Sequence, residues 1–362
     1  MNRADRVART EKKSAEKVSA EKVSRRGVLA VGAAAGIGLL AACGESAARS
    51  HDAANGAPPP ARSPEPGGPT TPHHSTPPSS ISPSPSPSSP ATRPARHRPE
   101  LPRGGRELFP RHRLIGFCGL PGAAALGRLG IGDPRARAAE IEKVAHTYAA
   151  GREPLPVLEL LAVVANATAG PDGRYRSRTP AATIRRFHQL ARARRALLLL
   201  NIQPGRAAPL DEVKALRGWL VHPDVGIALD PEWEMGPGEI PGRTFGHTSG
   251  QELTAVARWL SRLVERHDLP TKPLVFHQVA PSVLHDEAAL RPQPGVALIK
   301  SVDGIGSPGL KRGTWRRLVS QLPDGVHSGF KLFYEEDAKG SRLMTPKEVL
   351  ALTPRPEYVM YE

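Results

Sequence analysis

The sequence predicts an α/β protein whose main part is a TIM-type (β/α)8 barrel, preceded by a signal peptide and a disordered linker rich in proline and serine. Three observations support this prediction. Residues 1–43 have the order of parts found in a lipoprotein signal, and residues 44–110 are too rich in Pro, Ser and Thr to form a core. In residues 111–362, short apolar runs alternate with amphipathic helical stretches. We therefore expect three parts, with boundaries near residues 43 and 110.

The N-terminal segment carries the features of a twin-arginine lipoprotein signal. Ser24–Leu29 (SRRGVL) has a polar residue, two arginines, any residue and two apolar residues in order. The apolar stretch Val28–Ala42, about 15 residues, is short for a membrane span and ends in the lipobox Leu40–Cys43 (LAAC). We therefore expect export of the folded protein and a lipid anchor on Cys43, at the extracytoplasmic face of the cell membrane. The alternative, an uncleaved anchor followed by a chance cysteine, also places the C-terminal part outside the cytoplasm.

Residues 44–110 are predicted to form a tether. The clearest part is Ser80–Pro87, where serine and proline nearly alternate. Proline favours extended conformations of roughly 3 Å per residue, so some 60 residues would reach beyond about 100 Å at full stretch. The histidine pair His73–His74 stands alone in this segment, and we expect it to be solvated rather than to bind a metal.

The charge and cysteine content exclude some partners. The net charge of +15 is spread along the chain, without the Lys/Arg block that marks a nucleic-acid arm, so no nucleic-acid partner is expected. Attraction to anionic envelope polymers or lipid headgroups and an arginine-rich genome are two alternative explanations of the basic excess. Cys118 is the one cysteine outside the signal, and its apolar neighbours indicate a buried, unreactive thiol.

Eight short runs in the C-terminal part are predicted to be barrel strands. Most are apolar on consecutive residues, as strands buried on both faces are. The runs are Leu114–Cys118, Leu155–Leu160, Ala196–Ile202, Val225–Leu229, Pro273–Phe276, Val296–Ile299, Gly329–Phe333 and Glu357–Tyr361.

Seven helices are predicted between these strands. Asp133-Pro134 and Thr179-Pro180 each combine an N-cap residue with a proline in the first turn. The remaining helices are Leu210–Leu220, Ser249–His267, a short one after Pro281, Thr314–Leu322 and Thr345–Leu352. Eight strands and seven helices over about 250 residues is the count of a (β/α)8 barrel.

Two points of this architecture stay open in the sequence. The missing eighth helix is either replaced by residues around Leu101–Pro110 or absent. The main alternative to a barrel is a doubly wound open sheet, which would normally carry a glycine-rich phosphate turn after the first strand. The corresponding turn is Gly119–Gly122, and no G-x-G-x-x-G follows it. This favours the barrel.

Polar residues gather at the C-terminal ends of the predicted strands, where barrel enzymes have their active sites. Glycoside hydrolysis needs two carboxyl groups about 5 to 9 Å apart, one of them as proton donor. Asp230 or Glu232 after the fourth strand would face Glu335 or Glu336 after the seventh, and Glu159 is a further candidate whose apolar surroundings would raise its pKa. The candidate substrate-binding residues are Gln203, Arg206, Trp233, His277, Gln278, Asp303, Lys331 and Tyr334.

Each candidate also has a structural interpretation. The acid run 335–337 would then be a solvated loop, and Asp230 would cap the following turn. Glu159 would pair with Arg206 or Lys331, and His277 would be a hydrogen-bonded barrel histidine. Metal chemistry finds little support, because neither H-x-H after the first strand nor H-E-x-x-H occurs. No P-loop and no G-x-S-x-G nucleophile motif occurs either, and no cofactor is expected.

Several segments together resemble a family of secreted actinobacterial lipoproteins with a glycoside-hydrolase-like barrel. The resemblance spans about residues 113–361 and implies the barrel and the envelope location, but no established reaction. The segments are Ile202–Arg206, Leu229–Trp233, His277-Gln278, Asp303–Gly309 and Lys331–Asp337.

The sequence thus leads to two functional hypotheses. The first is a membrane-anchored barrel that acts on a carbohydrate through Asp230 or Glu232 and Glu335, with a cell-wall glycan as the candidate substrate. The second is a barrel that binds a glycan or another small ligand without turnover. Carboxyl groups paired in one cleft favour the first hypothesis, and carboxylates all locked to Arg206 and Lys331 favour the second.

Overall fold

The computed structural model describes residues 98–320 and 322–362. The predicted signal, Cys43 and most of the predicted tether lie outside these residues. Eight parallel strands form the centre of the described part. We number them β1 to β8 along the chain: His112–Gly119, Glu153–Ala165, Leu197–Ile202, Val225–Leu229, Lys272–Gln278, Val296–Val302, Val326–Leu332 and Tyr358–Tyr361.

The strands close into a barrel. Each strand pairs in parallel with the next one, and β1 pairs with both β2 and β8, so the sheet has no open edge. This confirms the predicted (β/α)8 architecture and excludes the doubly wound open sheet. We call the C-terminal ends of these strands the mouth and the N-terminal ends the bottom.

Helices connect most of the strands and cover the barrel. They are α1 to α7: Pro134–His146, Ala181–Ala193, Pro209–Ala215, Arg217–Leu220, Gly250–His267, Pro308–Val319 and Pro346–Leu350. The longest, α5, begins with a capping box in which Ser249 and Glu252 bond each other's backbone, and its predicted apolar face is buried. This helix therefore forms as its sequence pattern indicates.

Three of the helix predictions need correction. The segment after Pro281 forms two short 3₁₀ turns, Pro281–Val283 and Glu287–Ala289, instead of a helix. The sixth helix begins at Pro308 rather than Thr314, because proline is well suited to a first turn. Thr179 does not cap α2: its hydroxyl donates to Leu161 O at 2.6 Å, and Pro180 takes the N-cap position.

The N-terminal segment 98–111 closes the bottom of the barrel without forming a helix. Leu101 and Leu108 are buried against inward-facing residues of β1, β2 and β3. Two arginines fasten this segment to the end of α5: Arg98 and Arg106 donate to Asp268 at 2.6 and 2.9 Å. The predicted replacement for an eighth helix is therefore a plug made of turns.

The barrel interior is apolar in its lower layers. Inward-facing side chains such as Leu199, Val275 and Ile299 pack there with Tyr358 and Met360. A glycine makes room for the tyrosine ring, since a Cβ on Gly329 would lie 2.8 Å from Tyr358 Cδ1. Among the helices of the described residues, none combines the length and apolarity that a bilayer crossing requires.

Candidate functional site

A layer of buried polar side chains lies at the mouth of the barrel. Residues in a strand face alternately inward and outward, so one inward position of a barrel strand lies level with the mouth. On β2 the inward position after Val157 is Glu159, and on β3 the inward position after Leu199 is Asn201. We call this layer the polar cluster, and it consists of Glu159, Asn201, Asp230, His277, Asp303 and Lys331, all buried.

Glu159 is fully buried and held by three neighbours. Asn201 Nδ2 donates to its Oε1 at 3.0 Å, and the Tyr358 hydroxyl donates to its Oε2. His277 Nε2 lies 3.2 Å from Oε1. Burial alone would raise the pKa of Glu159, but His277, Lys331 and Tyr358 together lower it below its ordinary value. The raised pKa expected from the sequence is therefore wrong, because these neighbours outweigh the apolar surroundings.

Asp230 lies beside Glu159 and shares a donor with it. The same Asn201 Nδ2 donates to Asp230 Oδ1 at 2.9 Å, and Gln203 Nε2 donates to Oδ2 at 3.2 Å. Burial raises the pKa of Asp230, although His277 and Lys331 oppose the shift. The two carboxyl groups are thus neighbours with pKa values shifted in opposite directions.

His277 is the centre of the cluster. Its Nδ1 donates to Asp303 Oδ2 at 2.9 Å, while Nε2 faces Glu159 and lies 3.9 Å from Asp230 Oδ1. Burial alone would lower the pKa of His277, but Asp303 and Glu159 raise it well above its ordinary value. The imidazole is therefore positively charged at neutral pH and lies between carboxylates.

Lys331 supplies the second positive charge. Its Nζ lies 3.3 Å from Asp303 Oδ2 and 2.8 Å from Glu362 Oε2. Ser301 Oγ donates to the other oxygen of Asp303 at 2.8 Å. Against the effect of burial, His277 and Lys331 lower the pKa of Asp303, which stays ionised. The cluster is thus a network of alternating charges, of the kind that is stable when each buried charge has a partner.

Glu232 differs from these carboxyl groups in having a free oxygen. It lies in the 3₁₀ turn Pro231–Trp233 directly after β4, and its side chain is buried. Oε2 accepts no hydrogen bond from any described residue. Burial, then the negative charges of Asp230 and Asp303, raise the pKa of Glu232 well above its ordinary value. This shift favours the protonated form of the carboxyl, which can donate a hydrogen bond or a proton.

A second raised carboxyl, Glu234, lies farther along the same turn. Burial raises its pKa to about 8, and the nearby charge of Glu252 adds to the shift. Its contacts with Thr248 and Glu252 join it to the start of α5 rather than to the polar cluster. We therefore assign it to the support of the loop after β4.

The structure brings most of the sequence-predicted residues together, but not all of them. Arg206 donates to Glu239 O at 2.9 and 2.6 Å and stacks on Tyr175, so it does not bind a cluster carboxylate. Tyr334 stacks on Tyr361, with ring centroids 5.2 Å apart, in the layer between barrel and helices. Trp233 is buried beside Glu232, and Gln278 is buried with an unpartnered Oε1.

Glu335 was predicted to face Asp230 or Glu232 across the mouth, and the structure does not show it paired with them. β7 ends at Leu332, and Glu335 is exposed on the loop three residues later. No ion pair or hydrogen bond joins its side chain to the cluster within the described ranges. Glu335 is therefore an exposed loop residue after β7, with no contact among the described residues that joins it to the polar cluster.

Three partners in the network were not identified from the sequence: Asn201, Tyr358 and Glu362. Asn201 had a detectable signal, because it is the one polar residue of the run Leu197–Ile202 and falls on the inward face. Tyr358 had no such signal in the sequence, because it is the first residue of β8 and contacts Glu159 on β2 across the intervening strand β1. In the part of the chain that the structure describes, no group of three or more His, Cys, Asp or Glu side chains is arranged to hold a metal ion.

Comparisons with known proteins add little to this geometry. No protein-family model and no curated protein matches the chain. Among solved structures, a trimodular endoglucanase of the GH5_4 subfamily is similar at 12% identity and a TM-score of 0.39, over 70% of this chain and 55% of that one. The chain thus spans little more than half of that neighbour, and a likeness this weak carries no argument about function. The (β/α)8 architecture is established by the parallel pairing of its eight strands.

Proposed function

We propose that this barrel is a carbohydrate-active hydrolase in which Glu232 donates the proton and Asp230 is the second carboxyl group. One observation carries the proposal: two carboxyl groups at the end of one barrel strand have raised pKa values, and one of them keeps an unbonded oxygen. A buried carboxyl group with a raised pKa holds its proton more tightly than an exposed one, which suits it to act as a general acid.

Glu232 has the properties of a general acid. Burial, followed by the negative charges of Asp230 and Asp303, raises its pKa and favours its protonated form. Its free Oε2 has no partner among the described residues to compete with a substrate. In glycoside hydrolysis this proton would pass to the oxygen of the leaving sugar as the glycosidic bond breaks.

Asp230 is suited to the complementary role. Asn201 and Gln203 each donate to one of its oxygens, which fixes the carboxyl plane. Burial raises its pKa, and the positive charges of His277 and Lys331 oppose this shift by favouring the ionised form. An ionised Asp230 would attack the anomeric carbon or activate a water molecule there, which are the two alternatives for the second carboxyl group.

The other charged residues act as positioning residues. Glu159, Asp303 and His277 are fully or nearly fully buried and bonded to each other or to Asn201 and Lys331. A network of this kind holds the reacting groups in place without reorganisation, which is the usual basis of electrostatic catalysis.

A non-catalytic binding barrel is the second candidate function. It is favoured by the exposed position of Glu335 and by the ion pairs that occupy Glu159 and Asp303. Fixed charges at the mouth of a barrel can orient a glycan hydroxyl as well as a reacting bond. The two functions differ in turnover, which is what the experiment must measure.

The experiment is a reducing-end assay of the purified protein on cell-wall polysaccharides. We expect Glu232→Gln to lower kcat by about 100- to 10,000-fold, the range for losing a general acid. Asp230→Asn should have an effect of similar size. Glu265→Gln, on the exposed face of α5, is the matched control and should leave kcat unchanged.

The outcomes separate the hypotheses. Full activity in Glu232→Gln would overturn the assignment of the acid. A loss in Glu335→Gln, with Glu232→Gln active, would restore the pairing predicted from the sequence. Saturable binding without turnover on any glycan would identify a binding protein instead.

The cellular location is part of the proposal. The twin-arginine motif and the lipobox support a lipoprotein anchored through Cys43, with the barrel outside the cytoplasm and a wall glycan within reach. Metabolic labelling with a fatty acid should mark the protein and should fail in Cys43→Ala. Equal labelling of Cys43→Ala would refute the anchor, whatever the barrel does.

A further inference from the structure

A buried arginine at the bottom of the barrel has no carboxylate partner among the described residues. Arg113 is 2% exposed, and its Nε donates to Pro356 O at 3.1 Å. Its Nη1 donates to Tyr148 O at 2.7 Å and to Ala149 O at 2.9 Å. All three acceptors are neutral carbonyl groups. A buried guanidinium usually has an anionic partner, because isolated buried charge is costly.

Most of the charged side chains near Arg113 are also positive, and they increase the free-energy cost of burying its charge. Burial, then the positive charges of Arg152 and Arg355, lower the pKa of Arg113 to about 10. Glu357 offsets them only in part, because its carboxylate is bonded to Arg152 and to His327. The site therefore holds more positive than negative charge.

The three arginines line one pocket. It has a volume of about 540 Å³ and lies between the loop that precedes β2 and the loop that precedes β8. Gly151 and Thr353 also line it. Arg113 bonds the backbone through Nε and Nη1, and its Nη2 bonds none of the described residues. Arg355 donates from Nε to Leu350 O. Guanidinium donors that bond no described residue thus belong to side chains that line this open space.

We propose that this pocket binds a phosphate group at the bottom of the barrel, opposite the polar cluster. Guanidinium groups offer paired N–H donors that match the oxygens of phosphate, and one phosphate can bond several of them at once. Its negative charge supplies the counter-charge that Arg113 lacks within the chain. The proposal is independent of the reaction at the mouth.

An adjoining groove indicates how the phosphate could be presented. The groove shares Ala351, Leu352 and Thr353 with the pocket, and it is also lined by Arg312, Arg316 and Lys347. Glu348 in this groove is already paired with Arg312 and Arg342. The positive surface therefore continues beyond the pocket, and both free phosphate and a polymer with repeated phosphodiesters match its chemistry.

Calorimetric titration of the full chain at low ionic strength tests the proposal. The probes are inorganic phosphate and a synthetic poly(glycerol phosphate). We expect saturable binding of phosphate that Arg355→Gln weakens at least about tenfold, a loss in the range for a charge-assisted hydrogen bond. Arg258→Gln removes the same charge from the exposed face of α5 and should leave binding unchanged.

The titrations with the two probes distinguish free phosphate from a phosphate-containing polymer as the ligand. Tighter binding of the polymer, weakened by Arg316→Gln while phosphate binding is not, would identify a polymer as the ligand. Equal affinity for both probes, with no effect of Arg316→Gln, would identify free phosphate. Absence of saturable phosphate binding, or equal weakening by Arg355→Gln and Arg258→Gln, would overturn the proposal.

Discussion

The two ends of the barrel contain buried positive charge in different surroundings. At the mouth, His277 lies between Asp303 and Glu159, and Lys331 lies between Asp303 and Glu362. At the bottom, Arg113 is bonded to backbone carbonyls alone. The mouth thus supplies its own counter-charges, whereas the bottom leaves one to be supplied by a ligand.

Lys272, at the start of β5, resembles Arg113 in being a buried cationic side chain that is bonded to backbone carbonyl groups. Its Nζ donates to His222 O at 2.8 Å and to Val225 O at 2.7 Å, and no described carboxylate bonds it. Burial lowers its pKa to about 7. The comparison therefore predicts that the same kind of substitution has opposite consequences at the two ends.

The largest expected effect is at the mouth. Lys331→Met would leave Asp303 and Glu362 without their ammonium partner, and we expect a loss of about 3 to 5 kcal/mol in the free energy of unfolding. Urea denaturation measures it. Arg258→Met, on the surface, is the control and should change stability by less than about 0.5 kcal/mol. A loss below about 1 kcal/mol for Lys331→Met would mean that the ion pairs are not tight in solution.

The next effect concerns a single hydrogen bond in the same network. Tyr358→Phe removes the hydroxyl that donates to Glu159 and leaves a buried oxygen of this carboxylate with one partner fewer. We expect a loss of about 1 to 3 kcal/mol, because an unsatisfied buried group keeps its full desolvation cost. Tyr148→Phe is the matched control, since its hydroxyl bonds a neutral one, that of Tyr361. Equal losses in both variants would contradict a special role for Glu159.

At neutral to alkaline pH, His277 at the mouth and Lys272 at the bottom should change the free energy of unfolding with opposite slopes. The raised pKa of His277 means that its contribution is complete below about pH 6.5 and is lost as the pH rises through the folded-state pKa. Asp303, with a lowered pKa, contributes above about pH 4 and loses its contribution as the pH falls.

Lys272 should show the reverse slope. Because its pKa is lowered to about 7, folding releases its proton, and its contribution improves as the pH rises from about 7 toward 10. Denaturant unfolding at several pH values measures both slopes, each at most about 1.4 kcal/mol per pH unit. Lys272→Met should remove the rising component and His277→Gln the falling one. Unchanged profiles would contradict the assigned protonation states.

The smallest effect is expected at the bottom pocket. Without phosphate, Arg355→Gln should leave stability unchanged or raise it by about 0.5 kcal/mol, because it removes a positive charge near Arg113. With phosphate present, the wild type should become the more stable of the two, since a ligand stabilises the state that binds it. Thermal unfolding with and without phosphate measures the difference. A variant that is less stable in both conditions would argue for a structural role of Arg355.

The barrel and much of the mouth could be predicted from the sequence, and the reasons are local. Runs such as Leu197–Ile202 are apolar on consecutive residues because both faces of a barrel strand are buried. Asp230 and His277 could be placed because each directly follows an apolar run, at the end where barrel sites form. Both inferences need no information from elsewhere in the chain.

The misplacements have physical reasons as well. Glu335 follows β7 by three residues, and sequence patterns do not define where a loop leaves the barrel rim. Glu159 was expected to have a raised pKa because its local sequence is apolar, but the groups that lower it lie on β5, β7 and β8. Its charge state is set by contacts between strands distant in sequence, which a single run of residues does not contain.

The plug formed by residues 98–111 has a practical consequence. Because Arg98 is fastened at the bottom by Asp268, any chain attached before it starts from the side opposite the polar cluster. A fusion partner or a surface linker joined there would leave the mouth uncovered. Immobilisation through the N-terminal side should therefore present the barrel mouth-outward on a sensor chip or bead, whereas random coupling through surface lysines would not orient it.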